Sequence, residues 1–452
     1  MIVMKFGGSS VESAAAIDRV AAIVRSRLAD HPVVVVSAMG KTTNRLLALA
    51  QSAVTGDRAG ALAQLEELKT YTLREGGSVG GAIESHFQEL AELVQGLAVL
   101  GELTPRSIDA ISSYGERLSS LIVAERFRAG GLDAVQADSR EYVVTDARHT
   151  QASPLYPETY ERLQTRLAPV ARQRVVVMGG FIGSTLTGVT TTLGRGGSDF
   201  SASIIGAGLD AGEIQIWTDV DGMLTCDPRI ADIGHRVKLI SFGEAAELAY
   251  FGAKVLHPST VLPAVEKNIP VFILNSRRPE VEGTRIVAEA VPCANVFKAI
   301  ACKQDIVSVH IRSTRMLMAH GFLRRIFEVF DRYETPVDMI ATSEISVSLT
   351  IDNPQRLDRI VAELREFAEA SVETGQAIIC MVGDNIGTAR GIAGRVFQAM
   401  NGANIRMISQ GASSLNLSFV VASRDLIPGV TALHREFFSD LDPRVFERRA
   451  AA

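Results

Sequence analysis

Apolar and polar positions follow two regimes along the chain, and the change falls near residue 290. Before it, short runs apolar at consecutive positions alternate with longer patterns at helical spacing, such as Leu46, Leu49, Leu62, Leu65 and Leu68. The short runs are Ile2-Val3-Met4, Val33 to Val36, Val175-Val176-Val177-Met178 and Val271-Phe272-Ile273-Leu274. Runs apolar on both faces and followed by helices predict buried parallel strands, hence an α/β sheet covered on both sides. Each run ends in glycine or small polar residues: Gly7-Gly8, Ser37-Ala38-Met39-Gly40, Gly179-Gly180 and Asn275-Ser276. Ligands of such sheets bind beyond the carboxyl ends of the strands, so four coinciding ends mark where a site is expected.

After residue 290 the pattern repeats itself. Residues 306–370 read strand (Val307 to Ile311), helix (Phe322 to Phe330), a long β stretch (Val337 to Ile351) and helix (Leu357 to Phe367). Residues 377–438 run through the same order with Ala377 to Val382, Ile392 to Met400, Ile405 to Ala422 and Val430 to Phe438. Gly321 aligns with Gly391, Ile326 with Val396 and Phe327 with Phe397; after a slip of two residues Met339-Ile340 meets Met407-Ile408, and Leu349 meets Leu417. A duplicated βαββα unit predicts two ferredoxin-like α+β domains. They carry no evident nucleophile or acid–base set, so a binding or assembly module is expected. The expected division is 1–290 for the α/β part, 291–374 for the first α+β domain with its leading strand, and 375–445 for the second.

Candidate chemistry is densest between Thr190 and Arg229. Gly194-Arg195-Gly196-Gly197-Ser198-Asp199 is a glycine-broken turn before an apolar helical run (Phe200, Ile204, Ile205, Leu209), with Ser198 or Asp199 as the natural N-cap. A short strand through Ile214 and Ile216 then leads to Thr218-Asp219. Gly196 and Gly197 let backbone N–H groups approach an anion, and the helix start adds partial positive charge. Arg195 offers a planar fork to a carboxylate or phosphate. Arg195 and Asp199 on one turn suit a zwitterionic substrate; the alternative is that they pair with each other. Lys5, beside Gly7-Gly8 at the end of the first run, suits phosphate. Gly40-Lys41-Thr42 imitates the tail of a P-loop, but that loop needs glycine five positions before its second glycine, and position 35 is valine. Glu116, following Gly115, reads locally as a first-turn dipole partner contributing about 0.3–1 kcal/mol. Lys254, in the last turn of a helix expected from Phe242 to Leu256, has a similar local explanation.

Composition removes several classes. The chain has 452 residues, 47% hydrophobic and 21% charged, with a net charge of -5, which argues against a dedicated nucleic-acid binder. Cys226, Cys293, Cys302 and Cys380 lie far apart without a CxxC pair, so neither a zinc site nor a disulfide scaffold is expected. No signal peptide or membrane-length apolar run is visible, and a cytoplasmic protein is expected.

Six motifs then fall in a single order: KFGGSSV at Lys5–Val11, SYGE at Ser113–Glu116, TTTLGRGGSD at Thr190–Asp199, WTDVDG at Trp217–Gly222, DPR at Asp227–Arg229 and FGAKVLHP at Phe251–Pro258. Together they resemble aspartate kinase, and the duplicated C-terminal part resembles that family's two ACT domains. The likeness is to the monofunctional, lysine-sensitive type. It implies an α/β amino-acid kinase fold with a mainly parallel central sheet, followed by two ferredoxin-like ACT domains. It also implies transfer of the ATP γ-phosphoryl group to the β-carboxylate of L-aspartate, with Mg2+ carried on the nucleotide phosphates and no dedicated metal ligands on the protein.

On this resemblance Lys5 and Asp199 are catalytic, and Lys5, Gly7, Gly8 and Ser9 meet the phosphates. Arg195 clamps the α-carboxylate of aspartate, Glu116 and Asp199 receive its ammonium, and Ser37, Thr43 and Ser198 are neighbouring polar contacts. Thr218, Asp219, Arg229 and Lys254 fall on the nucleotide side, where Leu224 replaces a tyrosine frequent in the family. Met316, Phe322, Leu323, Val337, Asp338, Thr342, Ser343 and Glu344 form an effector pocket, with Ala319 in place of a frequent serine and lysine the expected effector. A homodimer or a dimer of dimers through the ACT domains is implied as well. The rival readings are another carboxylate or carbamate kinase on the same fold, and a non-catalytic amino-acid sensor that kept it.

Overall fold

The computed structural model describes residues 1–76, 80–252, 258–289, 292–313, 321–384 and 386–448. The chain divides into two compact units: Met1–Met223 with Leu256–Glu289, and Leu224–Val255 with Ala290–Ala452. Residues 224–255, grouped in sequence with the α/β part, are thus compact with the C-terminal part.

In the first unit the four apolar runs form strands of one sheet. Its order is Thr284–Val287, Val271–Asn275, Glu213–Thr218, Ile2–Phe6, Pro32–Val36, Val175–Gly179 and Ala134–Ala137. All neighbours are parallel except the pair formed by Thr284–Val287 and Val271–Asn275. Parallel strands need long crossovers, and those crossovers supply the helices that bury both faces. Pro32–Val36 is buried at every position, as its unbroken apolar run requires, and so is Ile2–Phe6, with the charged Lys5 included. Each valine or isoleucine removed from water in this way contributes about 1.5–3 kcal/mol. Helices Thr42–Val54, Arg58–Gly76 and Tyr114–Ala129 cover part of this core with Leu46, Leu49, Leu65, Leu68 and Ile122, all buried.

The duplication is visible in the second unit. The strand–helix–strand–strand–helix order runs through Ala299–Arg312, Phe322–Arg332, Ile340–Thr342, Ser346–Ile351 and Leu357–Leu364. It recurs in Glu369–Val382, Ile392–Ala399, Met407–Gln410, Asn416–Ala422 and Leu426–Phe437. Gly321 and Gly391 are both helix N-caps in the left-handed region, at φ 81° and 74°. Each long β stretch expected from the sequence is a hairpin, broken where Ser343-Glu344 and Gly411 to Ser414 turn the chain.

The two copies are not separate sheets. Ala299–Arg312 and Glu369–Val382 are antiparallel over most of their 14 residues, with the register shifting between Lys303 and Ser308. Asp305 (φ 56°) and Gly375 (φ 68°) bend the two strands at that place. Beyond the bend Val307 to Arg312 also pairs with Ser346–Ile351, while Gln376 to Val382 also pairs with Asn416–Ala422. Each long strand is therefore shared between the copies. Helix Phe242–Tyr250, opened by a Ser241–Glu244 capping box, stops short of the Leu256 expected, and Gly252 follows at φ 117°. No described helix is long and apolar enough to cross a membrane.

Leu349 is fully buried in the second unit, opposite Val309 and Ile340. Leu349→Ala is expected to cost about 2–5 kcal/mol of stability, read as a lower denaturation midpoint. Gly321→Ala, with open space around its Cβ, should cost only about 1 kcal/mol of backbone strain.

Candidate active site

Lys5 is the fourth residue of the central strand, and its Nζ lies 2.7 Å from Asp199 Oδ1. Asp199 belongs to the first turn of helix Gly197–Gly208. The residue capping that helix is Gly196, at φ 70°, with no side-chain cap; neither Ser198 nor Asp199 is the N-cap expected from sequence. Asp199 turns instead toward Lys5. The local Arg195–Asp199 pair is therefore not the arrangement found: the partner comes from another strand end, and Arg195 is exposed.

These groups border a cavity of about 370 Å³ at the carboxyl ends of Ile2–Phe6, Pro32–Val36 and Val175–Gly179. Of the expected site residues, the catalytic Lys5 and Asp199, the substrate contacts Ser37, Thr43, Glu116 and Ser198, and Gly8 from the phosphate set all line it. Arg195 does not, although Gly194 and Gly196 on either side of it do. Missing side chains allow the walls to meet. A Cβ on Gly180 would fall 2.7 Å from Ser198 Cβ, and one on Gly8 would fall 2.7 Å from Ala38 O. Gly115 likewise faces Ala38 Cβ at 2.8 Å, which lets the helix bearing Glu116 close on the loop after Pro32–Val36.

Glu116 is buried, and its Oε1 accepts the Ala38 N–H at 3.1 Å. Its Oε2 is buried without a hydrogen-bond partner among the described residues. Burial pushes its carboxyl up to about 8, against the opposing pull of backbone N–H groups and the Lys5 charge. An orphaned carboxylate oxygen facing a polar cavity is an acceptor waiting for a donor. Backbone donors are nearby: Gly8 N–H and Ser9 N–H, at the open start of the 3-10 turn Gly8–Ser10, have no partner among the described residues. Gly7 differs from expectation, because its N–H is spent on Trp217 O at 3.3 Å.

Sequence reasoning passed over Lys41, Asn44 and Phe181, which also line the cavity. Lys41 was visible in the failed P-loop motif. Phe181 holds φ 65°, unusual for a bulky residue, with its N–H on Ser201 Oγ at 2.8 Å; nothing local in the sequence announces that.

Thr218 and Asp219, expected on the nucleotide side, do not line this cavity. Thr218 ends strand Glu213–Thr218, where its carbonyl accepts the Ser276 N–H, and Asp219 is exposed. Arg229 belongs to the second unit and forks onto its own neighbour Asp227 at 2.6 Å. Lys254 lies outside the described residues.

Of the expected effector residues, Met316 (like Ala319) also lies outside the described residues. Phe322 packs edge-on against Phe367, while Leu323, Thr342, Ser343 and Glu344 are exposed. Ser343 Oγ is bonded to Ser346 Oγ at 2.6 Å, and half-buried Val337 packs on the local core. Asp338 is engaged by Lys303 at 2.5 Å.

The family model described as the amino acid kinase family matches residues 1–275, and an ACT domain model matches residues 379–437. Aspartokinase 1, chloroplastic, of Arabidopsis thaliana is 40% identical, across 97% of this chain and 80% of its own length. Lysine-sensitive aspartokinase 3 of Escherichia coli is 37% identical, across 97% and 99% respectively. Among solved structures, E. coli aspartokinase III with lysine and aspartate (T-state) superposes with a TM-score of 0.85 at 35% identity, covering 97% of this chain and all of that one. The same enzyme with aspartate and ADP (R-state) gives 0.82, with equal identity and coverage. Relatives and solved structures that match over nearly the whole chain lead to one conclusion: this chain belongs to the aspartokinase family.

Proposed function

We propose that this protein transfers the γ-phosphoryl group of ATP to the β-carboxylate of L-aspartate, giving 4-phospho-L-aspartate, the first step toward lysine, threonine, methionine and diaminopimelate. The observation that carries this reading is the buried Glu116, with one oxygen unpartnered among the described residues, in the lining of a cavity shared with Lys5 and Asp199. An α-amino acid brings an ammonium for Glu116 and Asp199. Its α-carboxylate goes to Arg195, which is exposed at the rim beside the same turn.

Two anions must meet for the transfer, and unit charges 4 Å apart repel by about 4 kcal/mol at an effective dielectric of 20. Lys5 supplies the positive charge at that point. The free N–H groups of Gly8 and Ser9 supply donors that fit a polyphosphate. No covalent nucleophile is required, because positioning and charge stabilisation do the work in phosphoryl transfer. Mg2+ rides on the nucleotide phosphates and lowers their charge. Thr218, Asp219, Arg229 and Lys254 serve the nucleotide.

Lysine is the feedback effector, bound through Asp338 and its neighbours. The E. coli enzyme to which the chain is similar binds lysine, aspartate and ADP, and that supports the reading. Assembly as a cytoplasmic homodimer, or a dimer of dimers, through the ACT domains completes the proposal. A coupled kinase assay over a panel of amino-acid acceptors, with and without lysine, tests the whole. Turnover with aspartate and its suppression by lysine are expected; turnover with glutamate or carbamate alone would refute it.

Lys5→Ala should lower kcat by roughly 10²–10³-fold, the usual effect of removing a group that stabilises transferred charge. The Glu116 carboxyl gives a pH signature. It must lose its proton to hold the ammonium, so aspartate KM should rise about tenfold per unit as pH falls below about 8. In Glu116→Gln that slope should vanish, with KM high and flat in steady-state kinetics. Stability moves the other way: the folded carboxyl lies above its ordinary 4.5, so the contribution present at low pH is lost as pH rises toward 8. The glutamine variant without substrate should therefore be the more thermostable of the two at pH 8.

A further inference from the structure

Lys303 stands where strand Ala299–Arg312 shifts register. Its Nζ is 2.5 Å from Asp338 Oδ1 and 2.7 Å from Asp352 Oδ2, and it lies 5.4 Å from the centre of the Tyr250 ring. The Asp338 side chain is only 4% exposed, against 36% for Asp352. Backbone bonds fix its position: Asp338 N–H donates to Thr350 O at 2.9 Å, and Met339 N–H donates to Thr350 Oγ1 at 3.0 Å. Asp338 Oδ2 is buried and has no hydrogen-bond partner among the described residues.

Two carboxylates thus share one ammonium, and the cluster keeps one negative charge in excess. Removing that charge from water is costly unless a further cation or donor meets it. Any ammonium that arrives, however, finds one already tethered at the buried carboxylate. The tether is short and preformed, so its effective concentration is high compared with that of a free ligand.

We propose that Lys303 is a built-in competitor of the cationic effector, holding Asp338 until free lysine displaces it, so that Lys303 and Asp352 set the lysine concentration at which inhibition begins. The inference rests on the lysine-effector reading above. Removing Lys303 takes the cluster from one negative charge to two and removes the competitor. Removing the charge of Asp352 makes the cluster neutral and leaves Lys303 wholly to Asp338. The two changes must act in opposite directions.

The test is the lysine concentration giving half-inhibition of the full-length enzyme, measured for the wild type, Lys303→Met, Lys303→Arg and Asp352→Asn. Kcat and aspartate KM without lysine are recorded beside it and should stay at wild-type values. Lys303→Met should lower the half-inhibiting concentration by about tenfold and Asp352→Asn should raise it by about tenfold, the scale of one partly screened unit charge at short range. Lys303→Arg, which keeps the charge, should remain near wild type. Should Lys303→Met fail to fold, Asp352→Asn still decides, since it leaves the buried pair intact. Inhibition of the wild type with no shift in the variants, or with both shifted the same way, overturns the competitor. A wild type indifferent to lysine would take the effector reading down with it.

Discussion

A carboxyl group out of water at the foot of a polar cavity is the constraint on which the site depends. Glu116 keeps one oxygen on the Ala38 N–H and the other unmet, and burial makes its charged form costly until a cation arrives. Lys5 lowers that cost but is itself held by Asp199 at 2.7 Å. With Lys5 so engaged, the Glu116 carboxyl keeps its proton until another cation reaches it. At Gly8 the cavity presents a backbone donor without a partner among the described residues. An ammonium and a phosphate are the two groups that would restore the balance.

The fold creates this asymmetry through strand ends and absent side chains. Lys5, the loop after Pro32–Val36 and the turn after Val175–Gly179 converge because their strands are neighbours in one parallel sheet. Gly8, Gly115 and Gly180 each stand where a methyl group would strike a facing wall. The apolar strands beneath hold the polar ends in register, so the energy of burial is converted into the position of charges. In the second unit the same logic is applied to Lys303, where a bend in a shared strand sets one ammonium between two carboxylates.

Much of this was legible in the sequence because it is local. Four runs apolar on both faces announce parallel buried strands, and Gly321 and Gly391 announce equivalent helix starts. What was not legible is long-range. Asp199 has a basic neighbour four residues away in Arg195, yet it pairs with Lys5 from a different strand. Glu116 reads locally as a dipole partner, and only contact with Ala38 reveals a buried acid. Asp338 reads as an open effector ligand because nothing near it in sequence points to Lys303. In each case local spacing identifies the residue, and tertiary packing chooses its partner.

The central claim, that aspartate binds by giving a buried acid its missing cation, has a direct test in proton uptake and release. Calorimetric titration of the enzyme with aspartate at pH 7, in buffers of different ionisation enthalpy, counts protons exchanged on binding. The account predicts release of nearly one proton per site as the Glu116 carboxyl ionises against the incoming ammonium, and none when residue 116 is glutamine. Binding heats independent of the buffer in the wild type would contradict it.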